Sequence, residues 1–189
     1  MRHHLANRAK TNDVAAVARS FIGLHGTDPA TVFVSAAARM KKPTVEAIEN
    51  ALYVDRTVVR MLAMRRTLFV VPVDLTSMVF AAASNAVAAN ERKKLLDWIA
   101  EGGVTTDGPK WLRNISAKTL AAIRDLDAAL VTEIMDRVPE LKQKIVLAPN
   151  TKWSTPQPIG TRVVPLLGVQ GHIARGRPRG TWVSTQHRW

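Results

Sequence analysis

One pattern occurs twice in this chain: short helical segments closed by Pro or Gly, followed by two strand-like runs around an arginine-rich turn. In the first copy, Asn12 or Asp13 caps a helix in which Val14, Val17, Phe21 and Leu24 recur at three- and four-residue spacing, with Gly23 and Gly26 at its end. Asp28-Pro29 then starts a second helix as N-cap and first-turn proline, and Thr44 caps a third with Val45, Ile48 and Leu52 in line. Val58–Ala63, Met64-Arg65-Arg66 and Thr67–Val71 follow as strand, basic turn and strand, ended by Pro72. In the second copy, Ser116 caps a helix carrying Leu120 and Ile123, and Asp127 caps another with Leu130, Ile134 and Val138. Lys142–Pro158 reads as an irregular polar stretch, and Ile159–Leu167 as a helix interrupted by Pro165. Gly171–Trp189 reads as a closing β-hairpin with Arg175, Arg177 and Arg179 at its tip.

Three helices and a hairpin outline a winged helix. The expected fold is therefore mainly α with small β-hairpins (α+β), in tandem winged-helix modules over residues 1–72 and 115–189. A helical linker, 73–114, joins them, with the glycine-rich stretch 102–114 as the boundary. Such modules place a helix in the major groove of duplex DNA, while the hairpin lies along the backbone or in the minor groove.

Charge points to the same partner. The net charge is +12, and all fifteen acidic residues lie at or before Glu140. From Leu141 onward there are eight Lys or Arg and no Asp or Glu, so the last 49 residues carry +8 against +4 for the rest. A block without acids fits a phosphate backbone. Its hydrophobics (Val163, Val164, Leu166, Leu167) argue against a disordered tail. The absence of cysteine excludes disulfides, thiolate metal sites and a cysteine nucleophile. No apolar run is long enough to span a bilayer, and a cytoplasmic, nucleoid-associated protein with no membrane partner is expected.

Two stretches have the residue types for a function. Arg175-Gly176-Arg177-Pro178 resembles the core of an AT-hook, but its position between strands points instead to a structured wing on phosphates or the minor groove, with a solvated basic turn as the alternative. Gly23–Pro29 places His25 and Thr27 two apart on a glycine-broken corner. There the pair can orient a water, or simply decorate a helix end and the next cap. His3-His4, His172 and His187 have no acidic neighbours of metal-site spacing, so no metal and no cofactor are expected.

Four runs together resemble the AlkZ-like winged-helix DNA glycosylase family: Phe21–Ala30, Leu52–Arg60, Ala63–Pro72, and Arg175–Trp182 with Gln186–Trp189. The resemblance implies tandem winged helices around duplex DNA and metal-independent hydrolysis of the N-glycosidic bond of alkylated bases. It puts His25 and Thr27 where the family carries its catalytic Gln-x-Gln or Gln-x-Asp pair, and here the corner reads His25-Gly26-Thr27. Arg65, Arg66, Arg175, Arg177, Arg179 and Arg188 become the expected DNA contacts. Family members continue beyond the equivalent of Trp189, so a shortened or partial member is expected. The competing expectation is a non-catalytic winged-helix DNA-binding protein, a regulator or repair remnant.

Overall fold

The computed structural model describes residues 3–147, 152 and 154–189. The chain forms two compact units, Met1–Asn85 with Ala174–Arg188, and Ala86–Ile173 with Trp189. These cut across the expected modules, because residues 174–188 belong with the N-terminal unit.

In the first unit, α1 (Val14–Arg19) starts where the Asp13 carboxylate accepts the amides of Ala15 and Ala16 at 2.8 and 3.1 Å. It ends earlier than its apolar spacing predicts. Ile22 takes a left-handed φ of 69°, and the chain leaves the helix to form β1 (Leu24–His25). Leu24, expected on a helix face, is a buried strand residue instead. Asp28 caps α2 (Pro29–Ala37), accepting from the Ala30 and Thr31 amides at 3.3 and 3.2 Å, and Pro29 costs the first turn no hydrogen bond. The Thr44 hydroxyl accepts the Ala47 amide at 3.0 Å to start α3 (Val45–Glu49), which continues as a π-helical turn, Asn50–Val54.

β2 (Val58–Leu62) and β3 (Leu68–Pro72) form the expected hairpin, and β1 adds a third strand to give the antiparallel order β1-β3-β2. Leu24, Val70 and Arg60 lie side by side across the sheet, as do His25, Phe69 and Met61. Side chains alternate along a strand, so the two rows project from opposite faces. The first faces the core of Val17, Val32, Ile48, Val58 and Val70. On the other side, Val71 and Ala63 pack with Val79 of α4 (Thr76–Val79).

Residues 174–188 do not form the expected hairpin. They make one isolated bridge, Pro178–His187, with hydrogen bonds from Gly176 N to Arg188 O and from Arg179 N to Gln186 O at 2.9 and 2.8 Å. Pro178 has no amide to extend a ladder, and Gly180 turns the chain at φ 89°. Side chains fix the segment instead. Trp182 lies 4.9 Å from Phe33, between ring centroids, and Arg177 pairs with Glu49 at 3.0 Å.

The second unit contains α5 (Asn85–Glu101) from its second residue onward, α6 (Gly108–Asp125), α7 (Val131–Arg137) and α8 (Gly160–Val169). Asp107 caps α6 through the Lys110 amide at 3.0 Å, so the stretch expected as a loop to residue 114 is helical from Gly108. The stretch expected as irregular holds β4 (Lys144–Leu147) and β5 (Thr155–Pro158), paired antiparallel. Pro156 and Pro158 disguise β5 in the sequence and are tolerated on an edge strand. Trp189 exchanges two backbone hydrogen bonds with Ala129, at 3.1 and 2.9 Å. Its ring occupies the space a Cβ on Gly168 of α8 would need.

Candidate functional site

The corner between α1 and α2 brings His25 and Thr27 together. Gly26 N donates to Leu68 O at 2.7 Å, and the Leu68 amide donates to Thr27 Oγ1 at 3.3 Å, so this short run is held against the end of β3. Thr27 Oγ1 stands 3.4 Å from His25 Nε2. The imidazole meets the Phe69 ring edge-on, with centroids 5.6 Å apart and planes at 87°. Both side chains are exposed. An imidazole nitrogen and a hydroxyl side by side can hold one water between them, the nitrogen as acceptor of its proton.

The corner tolerates little change in its backbone. A Cβ at Gly23 would stand 3.1 Å from both Val70 O and Val71 Cγ2, whereas one at Gly26 would meet only ordinary contacts at 3.5 Å. Asp28 stays with α2: Thr31 and the first-turn amides hold its carboxyl below the usual range, against burial, with a further contribution from Arg60. Among the described hydrogen bonds, no carboxylate accepts from the His25 ring.

The expected basic contacts fall into distinct groups. Arg65 and Arg66 are exposed at the β2–β3 turn, both left-handed at φ 54° and 60°. Such a pair of positive φ values suits a tight hairpin and favours Asn or Gly over arginine. Arg179 is exposed. Arg177 is engaged, paired with Glu49 and lying 5.6 Å from the centre of the Tyr53 ring. Arg175 and Arg188 are half-buried. Burial pulls the Arg175 guanidinium down to about 10, with the Arg60 charge adding to the effect.

A pair missed by the sequence reasoning lies beneath. Arg60 is 3% exposed, and its Nη1 donates to the His187 ring, 3.1 Å from Nε2. Its Nε and Nη2 are buried without a hydrogen-bond partner among the described residues. Burial lowers the Arg60 pKa; Tyr53 and then Asp28 act against that. His187, 7% exposed, is pushed down to about 4, first by burial and then by the Arg60 and Arg175 charges, and is neutral at pH 7. The signal for Arg60 was its phase: alternation along β2 puts it on the face of Val58, where the core calls for an apolar residue.

A family model described as "DNA glycosylase AlkZ-like" matches residues 18–189. Among solved structures, Streptomyces sahachiroi DNA glycosylase AlkZ is similar in fold, with a TM-score of 0.62 at 17% sequence identity. The similarity covers 99% of this chain and 45% of that one, so the chain spans less than half the length of this relative. No curated protein sequence matches the chain.

Proposed function

The chain belongs to the AlkZ-like DNA glycosylase family, and from that premise we propose that it binds duplex DNA and releases alkylated bases at the His25–Thr27 corner. The observation that carries this reading is the 3.4 Å approach of Thr27 Oγ1 to His25 Nε2 on an exposed edge, where the family carries its catalytic pair. Water held by this pair attacks C1′ of the damaged nucleotide. The C1′–N bond breaks with its electron pair passing to the base, and His25 takes the proton of the water and returns it to solvent. An alkyl-purine carrying a positive charge leaves as a neutral base, so no general acid is required. Positioning and proton acceptance are then the protein's main contributions.

The order α1-β1-α2-α3-β2-β3 fits a winged helix, with the Arg65-Arg66 turn as its wing. The groove is not the place for α3, which carries Glu46 and Glu49 and has Arg177 on Glu49. DNA is held instead by the Arg65-Arg66 turn and by Arg179, with Arg177 available once a phosphate replaces Glu49. Exposed cations of this kind bind the backbone without reading bases.

Base release from a duplex containing 7-methylguanine tests the reading. Release above the spontaneous rate is expected, with His25→Ala lowering it at least about tenfold while affinity stays within twofold. A non-catalytic DNA-binding protein is the second reading, favoured because no carboxylate accepts from His25 among the described hydrogen bonds. It predicts binding with no release, an outcome that removes the catalytic proposal.

A further inference from the structure

We infer that Ile22 is a wedge residue, an apolar side chain held out by the fold to enter the base stack beside the nucleotide presented to His25. The inference rests on the DNA reading above and adds to it a residue that neither the sequence pattern nor the family match assigns.

Ile22 closes the turn that follows α1, three residues past Arg19, where its amide donates to Arg19 O at 3.1 Å and its φ is 69°. Helices commonly end this way, but with Gly or Asn there, because a Cβ crowds the following carbonyl in the left-handed region. A β-branched residue is the least suited of all. Ile22 is not drawn into the core in exchange, remaining 56% exposed. A lone exposed apolar residue is ordinary; one that also imposes strain, at a position where Asn would serve the fold better, is not.

The flanking structure dictates the strained conformation. Arg19 makes a two-pronged pair with Asp74, at 2.5 and 2.9 Å. Phe21 is covered by the His3 ring and by the Arg39 guanidinium, each 4.7 Å from its centroid. Gly23 lies tight against Val70 and Val71. Strain persists where surroundings over-determine it, and such places concentrate at functional sites. Ile22 is also three residues from His25 on the same exposed corner. Apolar side chains set between base steps unstack them, and an enzyme that acts on a base must first take that base out of the stack.

The test uses the whole chain and a duplex with 2-aminopurine beside a tetrahydrofuran abasic analogue. Binding of the unaltered chain is expected to raise 2-aminopurine fluorescence. Ile22→Asn is expected to cut that rise at least fivefold, with affinity within twofold and the same dependence on salt. Ile22→Met, apolar and unbranched, is expected to restore most of it. The Tm of Ile22→Asn should be unchanged or higher, by up to about 4 °C. An undiminished fluorescence rise with Ile22→Asn overturns the wedge and leaves the DNA reading intact. A fall in Tm with joint loss of affinity also overturns it, making Ile22 a residue of the fold. No binding by the unaltered chain removes the DNA reading, and the wedge with it.

Discussion

Lowering the pH from 7.5 to 5 is expected to weaken the fold by about 2 kcal/mol through a single side chain, His187. In the unfolded chain its imidazole titrates near its ordinary value of 6.5, whereas in the folded chain burial and the Arg60 and Arg175 charges push it down to about 4. Between these values the unfolded state binds a proton that the folded state refuses, so stability falls as the pH drops. With one unit worth about 1.4 kcal/mol, the full difference is about 3 kcal/mol, of which about 2 is lost by pH 5. The carboxyls of Asp28, Asp74 and Glu140 are held below their ordinary range by Thr31, Arg19 and Lys118 respectively. Their contribution is therefore present throughout this window and is lost only at lower pH. Urea unfolding followed by circular dichroism at both pH values, on the natural chain and on His187→Gln, isolates the effect. The glutamine oxygen can still accept from Arg60 Nη1 but does not titrate, so the variant should lose about 2 kcal/mol less on acidification. Parallel losses in the two proteins would refute the picture of a histidine buried neutral between two arginines.

The two corner glycines are expected to differ in their tolerance of a methyl group. Gly23→Ala should destabilise by about 1–3 kcal/mol because the new Cβ meets the Val70 carbonyl. Gly26→Ala should stay within about 1 kcal/mol, as urea midpoints would show. For DNA binding, Arg65→Ala and Arg179→Ala should each flatten the log–log salt dependence by about one. Arg175→Ala, which removes a half-buried guanidinium, should alter thermal stability more than that slope.

Local chemistry in the first unit was legible because it depends on neighbours in sequence. The caps at Asp13, Asp28 and Thr44, the Pro29 start and the β2–β3 hairpin all fall where the residue pattern puts them. The proximity of His25 and Thr27 was legible from their spacing. The end of α1 was not, since the apolar period runs on through Leu24 while packing of Gly23 against β3 pulls that residue into a strand. β5 was hidden by two prolines that an edge strand accepts. The placement of residues 174–188 and the Arg60–His187 pair were least accessible. That contact joins residues 127 apart in the chain, and a buried arginine looks like any other basic residue until its strand phase is considered.

The first unit is discontinuous, and this governs the order in which it can form during synthesis. When Asn85 leaves the ribosome, Phe33, Glu49 and Arg60 are present but Trp182, Arg177 and His187 are not. All of residues 86–173 must be made first, a wait of roughly 4–18 s at ordinary elongation rates. Throughout that interval Arg60 faces an apolar core with its eventual partner still untranslated. The nascent N-terminal unit is thus a different, less satisfied structure from the finished one, and it closes only when the last fifteen residues of its own return to it.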